Sequence, residues 1–508
     1  ARLCNKASYY FILTISRCHE TFQKYEICSK EKGFNIHING AFHCILRFRQ
    51  LHCLHEQLRK AYPNRLPSFP PKKILPLSLS QLEDRRSQLE RYLQLVGQDP
   101  IISKGYLLNN FLLTAQHELG SEKSREISLD VFLPHGVRRV IQITSTWSAP
   151  SVLSKVCEDL GLQKEFMSNF ALYLARILKD GELELVRRLQ AFEAPHLSLR
   201  QCHIDCNVHL RRAHWDAILD DRILTSNVAL GLLYVQAVGD VERGWITCKD
   251  IGTLNRLEDL QNGGFTKEYL RSVRSLPTYG SVRFLPCTCD YPNPGNMSTA
   301  TFSPRNITLT THTKQAIKNE RKSEISVFPV TRIRCWRLTT VHMNDDDISA
   351  SSSNDDSTPG DSSASTTPTS SSSRSISTRL EFSFEFLVSR DNLRWITLAS
   401  DQASLMSSSL QSIVDELVVK RSSKEDLVAD NISSNEDIDG GDFVNWSYLS
   451  RDRGLIRFDS SKTDDNTVAA RRNSTKKEYK NCNTTVIFNP GRESVQNEAF
   501  EDIGDDDL

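Results

Sequence analysis

The sequence holds no run of about 20 apolar residues, so no segment is built to cross a bilayer as a helix. It has no excess charge of either sign, with 63 Lys plus Arg against 63 Asp plus Glu. No global field selects nucleic acid or membrane, and local patches must do the selecting. It has no regular cysteine framework either: 13 cysteines at irregular spacing, without a convincing signal peptide, read as reduced cytosolic thiols. No phosphate loop, nucleophile elbow or kinase signature occurs, which removes the common enzyme classes. Cys202, Cys206, His209 and His214 have tempting chemistry for zinc. On an extended strand, however, Cys206 and His209 point to opposite faces, and the spacing matches no common finger. Cys287 and Cys289 lack partners at ligand spacing. No metal, cofactor or catalysis is expected, and no nucleic-acid binding.

What is present concentrates between Ile45 and Val96. Leu51, Leu54, Leu58 and Tyr62 recur at helical spacing, which predicts a helix that buries one face and leaves Arg59 and Lys60 wet. Pro67, Pro70 and Pro71 hold the next stretch extended beside Lys72 and Lys73. Ser80 and Glu83 read as a capping box for a second helix, with Leu82, Leu89, Leu93 and Val96 as its buried stripe and Arg85 and Arg86 off it. Arg47, Lys72, Lys73, Arg85 and Arg86 thus leave three different elements and converge, enough to surround one multiply charged anion. Phe69, Ile74 and Leu75 flank the lysines without an evident core partner, as a wedge into an anionic membrane surface requires.

The order of the basic-aromatic pair Arg47-Phe48, the FPPKK loop and the RRSQLERYL helix resembles a PX domain. That resemblance implies a headgroup clamp for phosphatidylinositol 3-phosphate. Arg47 would hold the 3-phosphate, Phe48 would stack on the inositol ring, Lys72 would meet the 1-phosphate and Arg85 the ring hydroxyls, with Arg49 and Arg86 alongside. Phe48 stands where tyrosine is commoner and Arg49 where a small residue is usual. The chain begins at Ala1, so its start reads as truncated or altered, and residues 1–33 are an atypical segment in which the expected first strand has no clear place. FNIHINGAFHCILRF then reads as a hairpin turning at Asn39-Gly40.

At 508 residues the chain should carry several domains. ISLDVFLPHGVRRVIQI reads as a hairpin, the stretch from Pro150 to Leu160 as a helix, and FALYLARI and QCHIDCNVHLRR as strands, a ubiquitin-like order. Three amphipathic helices follow Trp215. Strands then return with GSVRFLP, RNITLTT, SEISVFPV, TRIRCWRLTT, RLEFSFEFLVS and LRWITLA, and DQASLMSSSLQSIVDELVVK closes as a helix. The expected fold is α+β and multidomain, and the order resembles the PX–FERM branch of the sorting nexins. A PX domain at 34–119 is followed by a ubiquitin-like lobe at 125–212, a helical, acyl-CoA-binding-protein-like lobe at 213–278 and a PTB/PH-like lobe at 279–420. The Ser-rich insert 344–377 is an expected solvated loop, and 421–508 an expected disordered tail.

Period two in TRIRCWRLTT puts Ile333 and Cys335 on one face and Arg332, Arg334 and Trp336 on the other, so Trp336 is expected on a basic, wet face. The resemblance implies that this lobe binds NPxY and NxxY/F signals of receptor tails by strand addition. Trp336 would shape the groove, Arg334, Cys335 and Arg337 would lend backbone and charge, and Met406 and Leu410, with Leu405, Ile413 and Val414, would close it or pack beneath. The terminus NEAFEDIGDDDL places Phe500 and Ile503 in an acidic run with Gly504, Asp505, Asp506, Asp507 and Leu508; by resemblance it engages the retriever complex. Val495-Gln496-Asn497-Glu498-Ala499-Phe500 also fits hydrophobic-x-Asn-x-x-Phe, so the tail is expected to occupy the cargo groove in cis until cargo displaces it. The functional expectation is a monomeric adaptor in the cytoplasm, peripheral on early endosomes, that recycles receptors. The alternative is a lipid-anchored FERM scaffold that links membranes to the cytoskeleton or, through the first lobe, to a small GTPase.

Overall fold

The structure, a computed structural model, describes residues 11–15, 33–73, 77–120, 124–248, 250–313, 322–343, 377–389, 392–429, 446–450, 454–458 and 495–497. In the first domain, β1 (Phe11–Ile15), β2 (Phe34–Ile38) and β3 (Ala41–Leu46) form an antiparallel sheet. Four helices cover it: α1 (Phe48–Ala61), α2 (Leu79–Gln98), α3 (Pro100–Lys104) and α4 (Tyr106–Gly120). β1 supplies the first strand that the sequence had not placed, so the sheet begins upstream of residue 34. Asn39 and Gly40 both have positive φ, 51° and 79°, the backbone that a tight hairpin turn demands. Leu51, Leu54 and Leu58 of α1 and Leu82, Leu89, Leu93 and Val96 of α2 are buried in one core. Two local readings change. The α2 capping box is Ser78 with Gln81, not Ser80 with Glu83, so the helix starts a residue before Ser80. Arg86 lies on the buried stripe rather than off it, only 5% exposed.

The first lobe runs β4 (Glu126–Phe132), β5 (Arg138–Thr144), α5 (Ala149–Asp159), β6 (Phe170–Ile177), β7 (Leu183–Arg188), α6 (Pro195–Gln201) and β8 (Asn207–Arg212), with sheet order β5-β4-β8-β6-β7. β4 and β8 pair in parallel, as a ubiquitin-like lobe requires. His209 stacks on Phe132 at 5.2 Å, and His214 hydrogen-bonds Asp220 at 2.5 Å, so both imidazoles have structural partners. The second lobe is α7 (Asp220–Ile223), α8 (Asn227–Glu242), α9 (Ile251–Asn262) and α10 (Thr266–Arg274).

The third lobe strings β9 (Val282–Arg283), β10 (Cys287–Cys289), β11 (Asn296–Phe302), β12 (Asn306–Thr313), β13 (Lys322–Pro329), β14 (Ile333–Met343), β15 (Ser377–Ser389) and β16 (Asn392–Ala399) before α11 (Ala403–Ala429). β11 was not read from the sequence, and α11 continues past residue 420. Within the tail lie β17 (Trp446–Ser450), β18 (Gly454–Phe458) and β19 (Val495–Gln496). The main sheet order is β13-β12-β11-β10-β16-β15-β14-β19, so β19 completes an edge that would otherwise be β14.

The domains are joined by buried polar contacts rather than by apolar packing alone. Gln116 of α4 accepts from Ala194 N–H (2.8 Å) and donates to Ser198 Oγ (3.1 Å) and Gln201 Oε1 (3.0 Å) in the first lobe. His43 packs edge-on to Phe192 at 5.0 Å. Glu416 of α11 accepts the backbone N–H groups of Trp215 and Asp216, each at 3.0 Å, which ties the third lobe to the chain between the first two.

Candidate functional site

Two places gather the residues singled out from the sequence. The first is a cationic cleft on the first domain. Gln50 holds the start of α1 by accepting the Arg47 backbone N–H at 2.9 Å, and its own amide donates to Glu118 of α4 at 2.9 Å. Arg47 is thereby fixed, half-exposed, at a helix N-terminus whose first turn has no acidic residue, a place where an anion gains from the helix dipole. Phe48 opens the helix rather than ending the strand. The Arg85 guanidinium lies 4.3 Å from its ring centroid, within cation–π range, and donates to Pro71 O at 3.2 Å. Lys72 and Lys73 are exposed on the extended proline loop, and Arg49 is exposed one residue beyond Phe48.

Two of the expected roles change here. Arg86 donates to Glu83 at 2.6 Å and to Glu90 at 2.7 Å, so its buried charge is paired within α2 and supports the cleft from behind. Phe69 has core partners after all: it stacks on His55 at 4.7 Å and meets Tyr92 at 4.9 Å and Phe48 at 5.5 Å. These contacts anchor the loop at Phe69. Ile74 and Leu75 lie outside the described residues. The cleft also contains a residue the sequence reading passed over. His52 sits 6.2 Å from Phe48 and 5.6 Å from Phe69, ring to ring, and burial, then the Lys72 charge, push its pKa below the ordinary imidazole value. Its signal was the position one turn after Phe48 on α1.

The second place is the β14 edge. The register slips between Ile333 and Cys335, with Ile333 opposite Phe386 and Cys335 opposite Glu385, so Arg334 is an extra, bulged residue. The bulge inverts the facing of the side chains that follow it, through Thr339. Ile333, Trp336 and Leu338 therefore all point inward, and Trp336 is 1% exposed. The expectation of an outward Trp336 is corrected: it packs beneath α11 and donates its indole N–H to Ser407 Oγ at 3.2 Å. Leu405, Met406, Leu410, Ile413 and Val414 are buried in the same core. Met406 and Leu410 thus underlie the groove instead of lining it. Arg334 donates to Glu385 at 2.6 Å, and the Arg337 guanidinium lies 4.2 Å from the Trp395 ring centroid. Cys335 is 2% exposed, its thiol 3.4 Å from Glu385.

β19 is hydrogen-bonded to this edge. Val495 lies opposite Trp336 and Gln496 opposite Cys335, antiparallel. Asn497 follows with a backbone N–H bond to Arg334 O (2.8 Å), while its side-chain amide donates to Val330 O (2.7 Å) and Ile333 O (2.5 Å). Asn497 is 6% exposed. The edge therefore holds this segment by two means, the backbone ladder and the Asn497 amide. Phe500, Ile503, Gly504, Asp505, Asp506, Asp507 and Leu508 lie outside the described residues.

Family profiles match the chain in the same order. They are the PX domain (residues 34–115), the sorting nexin 17/27/31 FERM domain F1 lobe (127–215), the sorting nexin 17/31 FERM domain F2 lobe (216–277) and the sorting nexin 17 FERM C-terminal domain (280–358 and 362–418). Sorting nexin-17 of Danio rerio is 37% identical over 411 residues, covering 80% of this chain and 82% of that protein. The Homo sapiens protein of the same name is 38% identical over 393 residues, 77% of this chain and 78% of its own. Homo sapiens sorting nexin-31 is 31% identical over 390 residues, 76% of this chain and 82% of its own. Among solved structures, the Dictyostelium discoideum myosin VII MyTH4-FERM MF2 domain overlaps 72% of each chain at 11% identity and a TM-score of 0.34.

Proposed function

This chain belongs to the sorting nexin 17 family, and on that premise we propose that it is an endosomal sorting adaptor, peripheral on the early endosome membrane and without catalytic activity. Its first domain, β1 to α4, holds phosphatidylinositol 3-phosphate through Arg47, Phe48, Lys72 and Arg85. Its third lobe, 279–420, takes NPxY-type signals of receptor tails on the β14 edge. Cargo so held is returned to the cell surface through the retriever complex, engaged by Phe500 to Leu508. No helix among the described residues is long and apolar enough to cross a membrane.

One observation carries the cargo reading: the chain's own Val495-Gln496-Asn497 adds a strand to β14 and buries the Asn497 amide against two backbone carbonyls. A hydrophobic-x-Asn signal from another protein finds the same ladder and the same carbonyl pair, which is recognition by strand addition with one side chain for specificity. The tail and the cargo then compete. A tethered segment gains effective concentration, so a weak copy of the signal suffices to keep the groove occupied until cargo arrives.

The test is calorimetry of the full chain with a receptor-tail NPxY peptide, alone and on vesicles containing phosphatidylinositol 3-phosphate. Micromolar binding that an Asn→Ala change in the peptide abolishes is the expected result. A folded chain that binds the vesicles but never the peptide would leave the lipid-anchored scaffold as the better reading.

A further inference from the structure

We propose that β17 (Trp446–Ser450) and β18 (Gly454–Phe458) form a docking ribbon that fastens the tail to the first domain, on the seam between α1 and α4. This stands apart from the cargo reading and involves the first domain rather than the third lobe. β17 and β18 pair antiparallel, with Trp446 opposite Phe458, Tyr448 opposite Ile456 and Leu449 opposite Leu455. Trp446, Tyr448, Ile456 and Phe458 hold alternate positions of this register. A lone two-stranded hairpin is marginal in water and needs a further element to pack on. β17 runs against both α1 and α4, which supply it.

The seam suits an apolar ribbon because one flank of α1 is uncharged. Gln50, Cys53 and Gln57 follow one another at helical spacing, whereas Glu56, Arg59 and Lys60 occupy the flank beside it, where Arg59 pairs with Glu56 at 2.6 Å. The Gln50 amide, bonded to Glu118, joins this neutral flank to α4, so the two helices present a continuous surface. Cys53 and Gln57 are half-buried. The occupant is the chain's own tail, because β17 is the strand that lies against α1 and α4.

The consequence is a tail held at two points. One end is clasped to the helix whose N-terminus carries Arg47 and Phe48, the other to the β14 edge, so the tail spans the anion cleft's domain and the third lobe together. Fastening at β17 and β18 also shortens the free chain that precedes Val495, which favours its return to the edge.

The experiment is amide hydrogen exchange on the full chain, followed by peptide. Exchange at 446–450 and 454–458 is expected to be at least tenfold slower than in an unstructured chain, and to rise to that rate in the double variant Cys53→Arg, Gln57→Arg. Should those changes disturb the first domain, Tyr448→Asp in the tail gives the same release without touching it. Unstructured-chain rates in the wild type would overturn the proposal. So would protection that survives both variants, or protection that appears only when anionic vesicles are added, which would give the ribbon to the membrane.

Discussion

Trp336 and Ser407 are joined across the third lobe, the indole N–H of one donating 3.2 Å to the hydroxyl oxygen of the other. The bond pins β14 to α11 from inside. Trp336→Ala is therefore a core deletion, expected to cost about 3–5 kcal/mol in chemical denaturation, and its loss of peptide binding would follow from unfolding. Ser407→Ala leaves the indole N–H without this acceptor and is expected to cost about 1 kcal/mol while the lobe stays folded. A Trp336→Ala variant as stable as the wild type would place the indole outside the core and overturn this account.

Asn497→Ala removes the amide bonds to Val330 and Ile333 but keeps the backbone bond to Arg334. Each hydrogen bond contributes about 1 kcal/mol, so the equilibrium constant for tail docking should fall roughly tenfold or more. Cargo peptide that competes with it then binds more tightly by up to that factor in calorimetry. Unchanged peptide affinity would show that tail and cargo do not share the edge.

Much of this was legible in the sequence because its signals are local. The stripe of Leu51, Leu54 and Leu58, the Asn39-Gly40 turn and the order of strands and helices depend on neighbours a few residues away. The motif at Val495 to Asn497 was legible for the same reason. What failed depended on distant partners. Nothing in TRIRCWRLTT announces a bulge at Arg334, since the extra residue exists only relative to Phe386 and Glu385 of β15. One slipped residue turned Trp336 from outward to inward. Phe69 looked unpartnered because His55 and Tyr92 come from two separate helices. Arg86 looked like a ligand because its carboxylates, Glu83 and Glu90, lie one helical turn to either side and count as ordinary helix surface until the stripe is known to be buried.

The basic residues of the cleft should separate cleanly by substitution. Lys72 is exposed, so Lys72→Ala is expected to leave stability unchanged and to lower affinity for phosphatidylinositol 3-phosphate vesicles by about fivefold, the effect of roughly 1 kcal/mol per cation near an anionic surface. It should also raise the His52 pKa, measurable by NMR titration, because the Lys72 charge is one of the causes holding that pKa down. Arg86→Ala should do the reverse. It strands Glu83 and Glu90 beside a buried cavity and is expected to cost about 2–4 kcal/mol of stability, with vesicle binding affected only as far as the domain unfolds.

Acid should loosen the contact between the first domain and the first lobe. Burial pushes the His43 pKa down to about 4, opposed by Glu193 and by the hydrogen bond to Leu112 O at 2.9 Å, and reinforced by Arg187. His117 and His209 are held near 4 as well, burial again the largest cause. The folded pKa values lie below that of an unfolded imidazole, about 6.5. Between about pH 6.5 and 4 the unfolded chain therefore binds protons that the folded chain refuses, and stability falls as pH falls through that window, levelling off below it. A depression of this size corresponds to roughly 2–4 kcal/mol per histidine. His43→Gln, whose amide can still donate toward Leu112 O, should make the slope in denaturation midpoints measured across the window shallower. An unaltered slope would mean that His43 titrates normally and that its ring is not sealed between β3, α4 and Phe192.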